Sequence, residues 1–153
     1  MFFDSHAHYD DLRFDADRTE LLNSFKQNGI DYVVNIGTNL ETAQKCLELS
    51  GKYDFIYCAL GFYPEDTGTI SEDDILKLED LCKSSKKVVA IGEIGLDYHE
   101  NEVSREIQKI WFERQLRLAE KLDLPVAIHM RDSTADTLEI LKNSSVKTGV
   151  LHC

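Results

Sequence analysis

Short, continuous apolar runs rich in β-branched residues alternate along this chain with longer stretches in which apolar positions recur every third or fourth residue. The first kind predicts buried strands and the second amphipathic helices. The apolar runs fall at 1–5, 32–36 (YVVNI), 55–60 (FIYCAL), 88–91, 125–129 and 146–151. The periodic stretches fall at 17–28, 40–50, from residue 71 onward, 104–122 and 134–141. Local signals support these limits. Leu21, Leu22 and Phe25 share one helical face, and Gly29 supplies a stop. Ser71 is placed to accept from first-turn amides, while Glu72, Asp73 and Asp74 favour the positive end of the helix dipole. Ile107, Ile110, Trp111, Leu118 and Leu122 line one side of the longest helix. Pro125 stands at the start of a strand, a position where its missing N–H is tolerated.

Strands that are apolar throughout and separated by helices predict a parallel sheet covered by helices, an α/β protein. No Gly-x-Gly-x-x-Gly follows the first strand, so a dinucleotide fold gains no support. A (β/α)₈ barrel of the TIM type is the better closure. It gathers the C-terminal ends of all its strands at one mouth, and the ligand-type residues described below sit at such ends. A full barrel takes about 250 residues. The 153 residues here account for about six strands, so residues 1–153 read as a single hydrolase-type domain whose barrel is incomplete at the C-terminal side. Such a piece would expose two sheet edges.

The formal net charge of −11 argues against a protein that coats nucleic acid through a basic surface. It is compatible with an enzyme whose phosphate-binding charge is supplied by metal ions in an acidic pocket. No apolar run approaches the roughly 20 residues needed to span a bilayer, and Met1-Phe2-Phe3-Asp4 lacks the basic, then apolar, pattern of a signal peptide. A cytoplasmic location with no membrane partner is therefore expected. The cysteines, at 46, 58, 82 and 153, form no Cys-x-x-Cys pair and read as reduced thiols.

The candidate chemistry lies at strand ends. His6 and His8 follow the first strand two residues apart, so extended backbone points both side chains the same way. Glu93 ends the fourth strand between Gly92 and Gly95, His129 ends the fifth and His152 the sixth. Imidazole and carboxylate are the usual protein ligands of a catalytic Zn²⁺-like ion. Each residue alone has a blander reading: a surface pair for His6 and His8, a buried salt bridge to Arg131 for Glu93, satisfied core histidines for His129 and His152. Arg131, two residues beyond His129, suits either bidentate phosphate contact or a salt bridge to Asp97 or Asp132. Asp4 and Asp97 are candidate partners that orient the ligands. His99 reads as a rim residue, and Cys153 follows directly on a candidate ligand.

Taken together, Asp4-Ser5-His6-Ala7-His8, Gly92-Glu93-Ile94-Gly95-Leu96-Asp97-Tyr98, Ile128-His129-Met130-Arg131-Asp132 and Leu151-His152-Cys153 resemble, in order and spacing, the TatD family of metal-dependent deoxyribonucleases. The resemblance covers the whole chain as the N-terminal portion of a longer member. It implies an amidohydrolase-like TIM barrel that hydrolyses DNA phosphodiesters with two divalent ions. Their identity (Zn²⁺, Mn²⁺, Mg²⁺ or Ni²⁺) is left open. By the same resemblance His6 and His8 hold one ion, His129 and His152 the other, Glu93 bridges them, and Glu93 and Arg131 serve catalysis. A further aspartate ligand of the family would lie beyond Cys153. Where members commonly carry a Gly-x-His-Pro-His-like segment after strand three, this chain has Gly61-Phe62-Tyr63-Pro64-Glu65. Two alternatives stay open: an amidohydrolase-like or aminoacyl-ester hydrolase on the same site, and a non-catalytic metal-binding fragment.

Overall fold

The computed structural model describes residues 2–100 and 102–153. Among them six parallel strands pair in sequence order: β1 (Phe2–Ala7), β2 (Ile30–Gly37), β3 (Ile56–Leu60), β4 (Val88–Asp97), β5 (Val126–Arg131) and β6 (Gly149–His152). The connecting α-helices are α1 (Arg18–Ser24), α2 (Leu40–Lys52), α3 (Glu72–Ser84), α4 (Arg105–Leu122) and α5 (Thr134–Lys142). Short 3-10 turns at Leu12–Phe14 and Pro64–Thr69 were not foreseen from periodicity. Met1, which the pattern puts at the head of the first strand, lies outside the described residues.

Every strand neighbours the next one in the chain, with none of the order reversal that marks a doubly wound sheet. The sheet is also strongly curled. His6 on β1 and His152 on β6 stand on opposite edges, which five strand spacings of a flat sheet would separate by about 24 Å. Their ring centroids are 3.9 Å apart. A curl of this kind is the barrel wind, and it brings the edge strands together at their C-terminal ends.

Two layers of side chains hold the curl. Outside, the helices pack Leu60, Ile75, Leu78, Ile91, Phe112 and Leu116 into the main core. Inside, small and β-branched residues (Ile36, Ala59, Ala127) line the concave face. Cys46, Cys58 and Cys82 are buried free thiols, as their surroundings in the pattern imply, while Cys153 is exposed.

Several limits and one cap differ from expectation, among them the start of the sixth strand, at Gly149 rather than Val146. The first helix ends at Ser24 rather than Asn28, because i→i+3 bonds (Phe25 N–H to Leu22 O, 3.3 Å) tighten its end into turns. Gly29 then turns the chain at φ +78°, where only glycine is unstrained. Ser71 caps α3, but its hydroxyl donates to Asp74 Oδ2 (2.7 Å) instead of only accepting. A further difference concerns Glu93. It does not end its strand: β4 runs on to Asp97, because residues 94–97 continue pairing with β5, from Ile94↔Ile128 to Asp97↔Arg131. His129 likewise sits inside β5, two residues before its end.

Candidate metal centre

The four strand-borne ligand-type residues meet at the mouth, joined by His8 one residue beyond β1. Glu93 is the hub, 4% exposed. Its two oxygens divide the four imidazoles between them. Oε2 lies 3.5 Å from His6 Nε2 and 3.7 Å from His8 Nε2. Oε1 lies 3.2 Å from His129 Nδ1 and 2.9 Å from His152 Nε2. The two Nε2 atoms of His6 and His8 are 3.2 Å apart. Among the described residues no guanidinium takes part, and Arg131 pairs with Glu100, so a salt bridge to Arg131 is not the role of this carboxylate. Burial alone would raise the Glu93 carboxyl, but contacts from His129, His152 and His6 outweigh it and hold the group well below the usual carboxylate range.

These residues fit a divalent cation on two grounds. Three buried ring nitrogens, His6 Nδ1, His129 Nδ1 and His152 Nε2, have no hydrogen-bond partner. For the last two the nearby Glu93 oxygen is close enough but off the ring's N–H direction, so distance without alignment leaves the nitrogen unsatisfied. A buried polar atom left this way costs about 1–3 kcal/mol, unless a cation takes its lone pair. The spacing also agrees. Nitrogens held about 2.0–2.1 Å from one ion in tetrahedral array sit about 3.3 Å from one another. Ligand atoms of His6, Glu93 and His152 all lie within 4.8 Å of one another.

A second layer orients this cluster. Asp97, fully buried, accepts from His129 Nε2 and from the Tyr63 hydroxyl, each at 2.8 Å. Burial opposes ionisation of Asp97, but the His99 N–H, Tyr63 and His129 hold its carboxyl below the usual range. Burial, and the bond to Asp97, push the Tyr63 phenol far above its ordinary value. The expected orienting role of Asp97 thus falls on His129. Asp4 accepts from the His6 backbone N–H (3.2 Å) and the Tyr9 hydroxyl (3.1 Å), so it steadies the chain at His6 rather than a ring. Arg131 is half-buried and pairs with Glu100 (3.3 Å), not with Asp97 or Asp132. His99 is exposed at the rim, its Nδ1 3.2 Å from Asp132 Oδ2.

Sequence reasoning missed three amides. Gln108 on α4 accepts from Asp97 N–H (2.9 Å) and donates to Asp97 O (2.8 Å) and Glu65 Oε1 (2.9 Å). Gln115 clasps both polar backbone groups of Phe62, next to Tyr63. Their spacing of seven on one buried helix face is a signal that was there to be read. Asn35, completely buried on β2, carried no such signal.

The family model for TatD related DNase matches residues 3–153. The chain is 38% identical over its whole length to the uncharacterized metal-dependent hydrolase YabD of Bacillus subtilis, of which it covers 60%. It is 33% identical to the 3'-5' ssDNA/RNA exonuclease TatD of Cronobacter sakazakii, over 99% of this chain and 58% of that protein. The crystal structure of the TatD homolog YjjV from Escherichia coli superposes with a TM-score of 0.91 at 33% identity, over 99% of this chain and 59% of the other. The chain therefore spans about three-fifths of the length of these relatives.

Proposed function

We propose, because this chain belongs to the TatD related DNase family, that its histidine–carboxylate cluster holds divalent cations and that the protein hydrolyses phosphodiester bonds of DNA. One observation carries the reading: a single buried carboxylate shares four imidazoles, two on each oxygen. In this reading His6 and His8 would hold one ion and His129 and His152 a second, with Glu93 as a ligand shared by both. The nitrogen-rich donor set suits Zn²⁺, Mn²⁺ or Ni²⁺ better than Mg²⁺. When bound, such cations would supply activation of a water near neutral pH and neutralisation of charge on the phosphoryl oxygens.

The chain's own residues prepare that chemistry. Glu93 stays ionised because the surrounding imidazoles outweigh its burial, so it is ready to bind cations without first losing a proton. Asp97 Oδ2 holds a proton on His129 Nε2 (2.8 Å), which leaves the Nδ1 lone pair on the Glu93 side. Tyr63 donates its hydroxyl proton to the same Asp97 oxygen and fixes that carboxylate's rotation. Arg131 positions the phosphate. Its ion pair with Glu100 lies at a partly exposed surface, where such pairs are worth about 0–1 kcal/mol, so an incoming phosphate displaces Glu100 at little cost.

The test is elemental analysis of the purified chain alongside Mn²⁺-dependent cleavage of labelled single-stranded DNA. About two ions per chain are expected, as in paired-metal sites, with metal and cleavage lost together in Glu93→Gln. A folded chain that binds no divalent ion, or a Glu93→Gln variant that keeps both properties, overturns the reading. Faster turnover of an aminoacyl ester than of DNA would move the site to the amidohydrolase-like alternative.

A further inference from the structure

His8 occupies an unusual place among the four histidines. The other three lie within strands, and the ladder pairs His129 with Gly95 and with His152. β1 ends at Ala7, so nothing in the sheet itself holds His8. Its ring nevertheless has a defined contact: Nδ1 lies 3.1 Å from the Ile36 carbonyl oxygen on β2. A carbonyl only accepts, so Nδ1 carries the proton and Nε2 is left with the lone pair. That Nε2 is the atom beside Glu93 and His6.

The residue before Ile36 completes the hold. Asn35 Oδ1 accepts from the Tyr9 backbone N–H at 2.7 Å. Its Nδ2 donates to Asp10 Oδ1 at 2.7 Å and lies 3.0 Å from Cys46 Sγ on α2. Asn35 is fully buried and Asp10 is 8% exposed, in a setting where hydrogen bonds are strong and their loss is costly. On the outer side Arg18 donates to the carbonyl oxygens of Tyr9 (2.5 Å), Asp10 (3.2 Å) and Asp11 (2.7 Å). The segment 8–11 is thus clamped by side chains from β2 and α1.

The structure assigns to Asn35 the role of a positioning residue for His8: through Tyr9 and Asp10 it seats the loop so that the His8 ring meets the Ile36 carbonyl and presents Nε2 to the cluster. Its meaning for catalysis rests on the reading of His8 as a cation ligand, but the placement of the ring does not. Asn35→Ala would leave the Asp10 carboxylate buried without its amide. The double variant Asn35→Ala/Asp10→Ala removes both partners and is the better probe.

The experiment follows the His8 ring by long-range ¹H–¹⁵N correlation in the cation-free chain and, separately, titrates Co²⁺ by its visible spectrum. The wild type is expected to show a single His8 tautomer, protonated at Nδ1, and slow exchange of the Tyr9 amide. The double variant is expected to show mixed tautomers, and Co²⁺ affinity lower by about 10–100-fold, the usual effect of losing a group that orients a ligand. An Asp97→Ala variant, altered on the His129 side, should leave the His8 tautomer unchanged. A folded double variant with wild-type tautomer and affinity overturns the assignment. So does a wild-type chain whose Tyr9 amide exchanges freely or whose His8 is protonated at Nε2, a result that needs no variant to fold. A wild type with the expected tautomer but no Co²⁺ binding sinks the cation reading and leaves the positioning intact.

Discussion

Replacing Gly95 by alanine should damage the protein far more than the same change at Gly51. Gly95 lies in β4 opposite His129 of β5. Its φ is +136°, and an added Cβ would sit 2.1 Å from the His129 carbonyl oxygen and 3.1 Å from that residue's N and C. All three atoms are backbone, so no side chain can swing away. The dihedral lies in a region essentially reserved for glycine, which costs about 1–3 kcal/mol. Forcing the strands apart costs about another 1–3 kcal/mol, by analogy with overpacked cores. The sum, about 4 kcal/mol, is a large part of the 5–15 kcal/mol that typically holds a domain together. Gly51 lies near the end of α2 with nothing within 4 Å of its added Cβ. Alanine there should stabilise by up to about 1 kcal/mol through helix propensity. Urea unfolding followed by circular dichroism measures both. With a slope of about 2 kcal/mol/M, the midpoint of Gly95→Ala should fall by about 2 M and that of Gly51→Ala should rise by a few tenths. A loss below about 1 kcal/mol for Gly95→Ala, with an unchanged slope, would refute the argument that this backbone contact admits no side chain.

Asp97→Asn keeps the shape of the group beneath His129 but weakens its hold on the Nε2 proton. Divalent-cation affinity measured calorimetrically should drop by about 10–100-fold, and an unchanged affinity would remove Asp97 from the site. Phe112→Ala empties a position only 1% exposed in the main core. It should cost about 3–5 kcal/mol, and a thermal midpoint within a degree or two of wild type would contradict the packing described. Glu79 on α3 pairs with Lys83 one turn on and with Lys121 on α4, and these hold its carboxyl down at about 2, against an ordinary 4.5. Because the folded value is depressed, this stabilisation is present above about pH 4.5 and is lost as the pH falls from there towards 2. The stability curves of wild type and Glu79→Gln should therefore converge over that window, and curves that stay parallel would show that the pair contributes nothing.

The alternation of strands and helices and the ligand-type residues could be read from the chain because each is written in local spacing, whereas the barrel closure was inferred from the need to gather those residues at one mouth. Apolar runs and three-to-four periodicity report burial on one face, and a histidine at the end of an apolar run is visible without any partner. The same local reading misjudged Glu93, since a strand interrupted by Gly92 and Gly95 looks finished. Only pairing with β5 shows that it continues to Asp97. Tertiary structure alone decided which groups face one another. It gave Arg131 to Glu100 rather than to an aspartate, joined Tyr63 to Asp97 across 34 positions, and set the buried Asn35 beneath Tyr9 across 26. The physical reason is that a polar side chain takes whichever partner the packed backbone brings within about 3 Å. In a curled sheet that partner is set by strand order and register, so the rings of His6 and His152, on the two edge strands, end with centroids 3.9 Å apart.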